Sequence, residues 1–195
     1  MKLKTILAAL ALSVAAGGAS ASVLNFDGLT EMMYGDGFPL LDSMSTTAQG
    51  LAYVEAGFQL TLHTPGADEG AAHIGDGTFE PQTFNWHDGA ENGADSFLTL
   101  TRVGGGTFKL NSFDYLMDWS SVLADGILVG SIQDAGTWST ALTGITELRF
   151  TSGAFNQLDN IDVEAGGEGT VPLPGTLALM LGGLAASSLA RRRRG

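Results

Sequence analysis

The chain has 195 residues, 44% of them hydrophobic, with 28 glycines and 5 prolines. That composition excludes wholesale disorder and favours short strands joined by tight turns over long helices. There is no cysteine, so disulfides, thiol catalysis, zinc–thiolate sites and iron–sulfur clusters are excluded. Between the basic residues of the two ends stand only Arg102, Lys109 and Arg149, against all 21 acidic residues, a net charge of −18 for the middle of the chain. Such a surface repels nucleic acid, stays soluble and attracts cations.

The first 21 residues have the layout of a secretory signal peptide. Lys2 and Lys4 make a positive start, residues 6–16 are an apolar run, and Ala19-Ser20-Ala21 is a small-x-small site. Signal peptidase is therefore the first expected partner, with cleavage after Ala21 and Ser22 as the mature N-terminus.

Residues 22–165 read as one β-rich domain. A strand begins at residues 22–26. Phe58-Gln59-Leu60-Thr61-Leu62 alternates with period two, as a half-buried strand does. Residues 96–103 form another, and Gly104-Gly105-Gly106 is expected to turn a hairpin into residues 107–110. Further strands are expected at 113–117, 126–132, 137–142 and 147–151, and a last one ends through Ile161 and Val163. No 11-residue stretch has a 3.6-residue period. The expected fold class is all-β, an antiparallel β-sandwich of jelly-roll type, followed by a short C-terminal transmembrane helix.

Candidate chemistry in this domain is sparse. Strand parity puts Asp159 on the face of Ile161 and Val163, pointing inward, and a buried carboxylate needs a partner. Two partners are open: loop amides at the strand entrance or, as its resemblance to jelly rolls with a last-strand aspartate implies, a structural calcium ion, the candidate metal and cofactor here. The segment 66–95 carries Asp68, Glu69, Asp76, Glu80, Asp88, Glu91 and Asp95. Hard cations want several such oxygens, but the spacing is not that of an EF-hand loop. His63, His73 and His87 lack the short helical spacing of a zinc site. Trp86, within Phe84-Asn85-Trp86-His87, is a candidate sugar-binding platform or a packed core residue. No Gly-x-Ser-x-Gly elbow and no phosphate loop is present, so no catalytic residue is assigned. Carboxylate pairs of glycosidase type stay open, since sequence does not show proximity.

Residues 166–170 are a glycine-rich spacer. Beyond it come Val171, Pro172, Leu173 and Pro174, then an apolar stretch at 176–190, then Arg191, Arg192, Arg193 and Arg194. As a helix the stretch would be about 22 Å long, short of the ~30 Å hydrocarbon core, and the arginines would snorkel and stay cytoplasmic. This tail, residues 171–195, resembles a PEP-CTERM sorting signal in its VPLPA-type variant. Leu173 stands where the common form has glutamate, and Gly175 where the variant has alanine. The resemblance implies recognition by an exosortase-type processing enzyme that cuts near the Pro-x-Pro motif. It also implies a Gram-negative bacterium that makes exopolysaccharide.

Residues 107–163, with TFKLNSFDYL, ILVGSI, TWSTAL, LRFTS and FNQLDNIDV in order, resemble the C-terminal half of carbohydrate-binding-module-like sandwiches found in many PEP-CTERM proteins. The resulting expectation is a non-enzymatic protein of the cell surface or extracellular matrix. It would pass transiently through the inner membrane and associate with extracellular polysaccharide in exopolysaccharide or biofilm. The alternative is a secreted glycan-active enzyme on a β-sandwich scaffold.

Overall fold

The computed structural model describes residues 21–35, 37–48, 50–63, 73–76, 83–87, 96–151 and 156–166. These residues are all-β and antiparallel. In chain order the strands are β1 (Ala21–Leu24), β2 (Tyr34–Gly35), β3 (Met44–Thr47), β4 (Gly50–Glu55), β5 (Phe58–His63), β6 (His73–Asp76) and β7 (Phe84–His87). They continue as β8 (Phe97–Arg102), β9 (Phe108–Ala124), β10 (Ile127–Trp138), β11 (Leu142–Ile145), β12 (Glu147–Thr151) and β13 (Asn156–Ala165). Among them no helix is long and apolar enough to cross a membrane. The helix expected at 176–190 lies outside the described residues, as do the signal peptide before Ala21 and the sorting motif.

Hydrogen bonding links the strands in the order β2-β6-β7-β13-β9-β12-β8-β5-β4-β3, and the sheet curls into a half-barrel. Strand β9 makes the curl possible. Along one edge its first part, Phe108 to Met117, pairs with β13, while Val122 to Ala124 pair with β12. Its other edge carries β10 and β11. One strand thus belongs to both halves of the sheet and bends between them. The bend is a β-bulge: Ile132 faces Ser120 and Asp134 faces Met117, so Asp118 and Trp119 of β9 lie opposite Gln133 alone. A bulge of this kind bends its strand and increases the local twist.

The core fills the concave side. In β5, β8 and β12 the alternation is regular: Leu60 and Leu62, Leu98 and Leu100, Leu148 and Phe150 are all buried. Each such side chain contributes about 1.5–3 kcal/mol by leaving water. Aromatic contacts join the two halves across the core. Phe58 meets Phe108 edge-on at 5.5 Å, Phe113 meets Phe150 edge-on at 5.1 Å, and Tyr53 meets Phe84 at 6.0 Å.

Two hairpins carry the turn their sequence calls for. Asp125-Gly126 joins β9 to β10 and Ala56-Gly57 joins β4 to β5, all four residues having positive φ. That is the signature of a two-residue type I′ turn, whose twist matches the flanking strands. The triple glycine does something else. Gly104, Gly105 and Gly106 also have φ of +80°, +83° and +99°, but β8 and β9 are not paired with each other: β12 lies between them. The expected hairpin is therefore a crossover from one half of the sheet to the other. Arg102 fastens it, donating from Nη1 to the carbonyls of Thr107 and Gly166, each at 3.2 Å.

Candidate functional site

The site candidate sits where β13, β9 and β10 run side by side. Asp159 faces Asp114, and Asp114 faces Thr137. Two residues along, Gln157 faces Leu116, and Leu116 faces Ala135. Residues directly opposite share a face of the sheet, as do residues two apart. Six side chains thus form two rows of three on one face, an acidic row and a row with apolar Leu116 and Ala135 beside Gln157. They line a groove of about 530 Å³, completed by Thr83, Asn160 and neighbouring backbone.

The acidic row is wired through Asn160. Its side-chain nitrogen donates to Asp114 Oδ2 and to Asp159 Oδ2, 3.1 Å in each case. The backbone N–H of Asn160 donates to Asp159 Oδ1 at 2.7 Å, and the Thr137 hydroxyl donates to Asp114 Oδ1 at 2.6 Å. At the other end, Thr83 Oγ1 donates to the Gln157 side-chain oxygen at 3.2 Å. Gln157 is 2% exposed and lines the groove. Its amide nitrogen has no hydrogen bond to a described residue.

This arrangement corrects the expected orientation of Asp159. Parity predicts it inward beside Ile161 and Val163. In the structure Leu158 and Ile161 are buried, and Asp159 is half-exposed. The cause is a second bulge: Asp159 pairs with Asp114 and Asp162 with Ser112, so Asn160 and Ile161 of β13 oppose Phe113 alone. Asn160 carries the turn in left-handed conformation, φ +47°, which asparagine tolerates better than most residues. The extra residue reverses parity, and Asp159 moves to the groove face. A compensating shift between Asp162 and Val163 restores the register.

Trp86 is placed as a core residue. It is 1% exposed on β7 and packs with Phe84 at 6.0 Å, so it offers no platform to a sugar in solution. Its indole nitrogen is buried and has no hydrogen-bond partner among the described residues. His73 and His87 stand opposite one another in the β6–β7 register, a pairing their spacing did not suggest. Of the acidic residues at 66–95, all but Asp76, the last residue of β6, lie outside the described residues. Among the described residues no group of three or more His, Asp or Glu side chains is placed to hold a metal ion.

A second organised cluster lies on the convex face of the regular half. Phe97 of β8 has the His63 ring stacked against it at 4.4 Å and the Arg149 guanidinium 4.2 Å from its centroid. Arg149 pairs with Glu147 at 2.9 Å, and His63 Nε2 is hydrogen-bonded to Thr99 Oγ1 at 2.9 Å. Burial lowers the His63 pKa; Glu147 raises it and Arg149 lowers it further. Every group in this cluster has a partner, so it reads as structure.

The groove residues missed from sequence are Asp114, Asn160, Gln157 and Thr137. Their only local signal is Asp-Asn in the last strand, and the cross-strand register that unites them depends on two bulges. No protein-family model matches the chain, and no curated protein is similar enough to be matched with it.

Proposed function

We propose that this is an exported, non-enzymatic protein of the bacterial cell surface or extracellular matrix that holds extracellular polysaccharide in the β13–β9–β10 groove. The single observation that carries the binding reading is the groove itself: hydrogen-bonding side chains of Asp114, Asp159, Asn160, Thr137 and Gln157 around an apolar floor of Leu116 and Ala135. A pyranose has the same division, hydroxyls at its rim and C–H groups on its faces, and a few placed polar groups over an apolar surface suit such a ligand.

Export and sorting rest on the two ends of the sequence. We read residues 1–21 as a signal peptide and residues 171–195 as a sorting tail for an exosortase-type enzyme, with a transmembrane helix at 176–190. In the structure Ala21 of β1 stands opposite Glu164 of β13. We read the half-barrel as a jelly-roll-like sandwich, a finer description than the antiparallel curl itself. Fold alone assigns no function.

A secreted glycan-active enzyme is the second reading, favoured by one observation. Asp114 and Asp159 both accept from the same Asn160 nitrogen at 3.1 Å, so their Oδ2 atoms lie within twice that distance of each other. Retaining glycosidases place two carboxyl groups about 5–5.5 Å apart. The test is to incubate the exported protein with bacterial polysaccharides and assay both retention and new reducing ends. Retention without new reducing ends is the expected result, and new reducing ends would transfer the groove to the enzymatic reading.

A further inference from the structure

The three tryptophans of the chain, Trp86, Trp119 and Trp138, are placed differently. Trp86 is buried in the core. Trp138 stacks on Phe113, 5.8 Å between centroids and 8° between planes, and its indole nitrogen donates to the Thr140 carbonyl at 2.9 Å. Trp119 is 51% exposed. The bulge in β9 decides its direction. Met117 and Ser120 are buried, and Asp118 and Trp119 between them are both exposed, pointing away from the core. In an unbroken strand Trp119 would share the face of Met117; the extra residue puts it on the face of Leu116 and Ala135 instead. Trp119 therefore continues the groove floor along β9, with exposed Gln133 opposite. At ~3.3 Å per residue, Leu116 and Trp119 stand about 10 Å apart, close to the length of a disaccharide.

Resting on the polysaccharide reading above, we propose that Trp119 is a second platform of the same glycan site, which runs along β9 and takes an internal stretch of a straight β-linked chain. The Leu116–Ala135 floor and the Trp119 indole each offer an apolar surface to the C–H face of a sugar ring. Two such surfaces in line on one strand suit an extended ribbon, whose rings present their faces in a row. A coiling α-linked chain turns its successive faces out of that line. Gln133 offers amide hydrogen bonds to hydroxyls at the ribbon's edge. An exposed apolar side chain standing singly is ordinary. Trp119 does not stand singly: it extends the floor on the same face, and only the bulge brings it there.

The test uses the full chain with cellobiose, cellotetraose and maltotetraose as probes. Dissociation constants are measured by calorimetry for the unchanged protein, Trp119→Ala, Trp119→Tyr and Phe38→Ala. Phe38→Ala removes an exposed aromatic ring just after β2, at one end of the strand order. Cellotetraose is expected to bind about fivefold to tenfold tighter than cellobiose, the gain of one aromatic contact. Trp119→Ala loses that gain and keeps the cellobiose affinity, while Trp119→Tyr and Phe38→Ala retain the gain. Acrylamide quenching of tryptophan fluorescence reads the same contact in the unchanged protein: cellotetraose shields the exposed indole and cellobiose does not. Melting curves matching that of the unchanged protein show that each variant is folded.

Equal affinity for cellobiose and cellotetraose, or cellotetraose binding without shielding, would overturn the second platform and leave the polysaccharide reading standing. A gain that survives in Trp119→Ala would do the same. Maltotetraose binding as tightly as cellotetraose would overturn the straight-chain preference. Binding of none of the three probes by a protein that retains bacterial polysaccharide would overturn this proposal alone, and retention of no glycan at all would end both readings.

Discussion

The two halves of the sheet are built to different rules. In β3, β4, β5, β8 and β12 every ladder runs in unbroken register. Among the described ladders, all register shifts fall on pairings of β9, with β10, β11 and β13. The regular half buries leucines at every second position. The bulged half gives up that periodicity, and left-handed Asp134 and Asn160 lie on the strands either side of β9. The lesson is one of division: unbroken alternation supplies core, and bulges re-aim side chains to make a groove. If so, substitutions in the regular half move stability, and substitutions in the bulged half move binding.

The sharpest contrast is expected from Phe150→Ala. Phe150 is fully buried on β12 and holds Phe113 edge-on across the core. Its truncation is expected to cost about 3–5 kcal/mol in urea denaturation. Leu116→Ala on the half-exposed groove floor is expected to cost less than half of that. Equal losses would break the comparison. Asp125→Ala comes next. Asp125 Oδ1 accepts from the backbone N–H groups of Thr146 and Glu147 and from the Thr146 hydroxyl. Removing those bonds is expected to cost about 1–2 kcal/mol, the range for a lost polar cap. The Thr146 hydroxyl foremost holds the Asp125 carboxyl below its usual range, with backbone bonds adding to it. This stabilisation is present above the ordinary aspartate pKa and lost as pH falls below it.

His63 gives a smaller effect in a different pH window. Its folded pKa is lowered, chiefly by burial, so the unfolded chain binds the proton more readily. Stability is expected to hold above about pH 6.5, the unfolded value, and to fall as pH drops below it toward the folded value. A melting series from pH 8 to 5 should show that slope, and His63→Gln should flatten it. An unchanged slope in His63→Gln would place the titration elsewhere. Asn160→Gly is expected to move stability least, within about 1 kcal/mol. Relief of the left-handed φ opposes loss of two exposed hydrogen bonds. Its effect on glycan binding should be far larger, because the carboxylate pair loses its bridge.

The same division decides what was legible in the sequence. Strand β12 is found at its observed bounds and β5 nearly so, because their leucines and phenylalanine keep period two. Strand β9 is not: its 17 residues read as separate pieces because bulges interrupt the alternation. Asp159 reads from the sequence as an inward carboxylate, and the bulge at Asn160 and Ile161 turns it to the other face for the same reason. The triple glycine announced a turn, but a turn does not state which strands it joins. Trp86 illustrates the ambiguity of a short aromatic segment, which reads as platform or core until its neighbours are known. Asp114 carried no local signal, since its meaning comes from Asp159, 45 positions later, standing opposite it.

The most direct test of the central claim is a residue-resolved map of where glycan touches the full chain. Amide chemical shifts would be followed in solution as oligosaccharides of bacterial exopolysaccharide are added. The account predicts that perturbations gather at residues 114–116, 135–137 and 157–160, on three strands brought together by two bulges, with the regular half silent. Perturbations centred on residues 97–101 and 147–151 instead, around the Phe97 cluster, would contradict it.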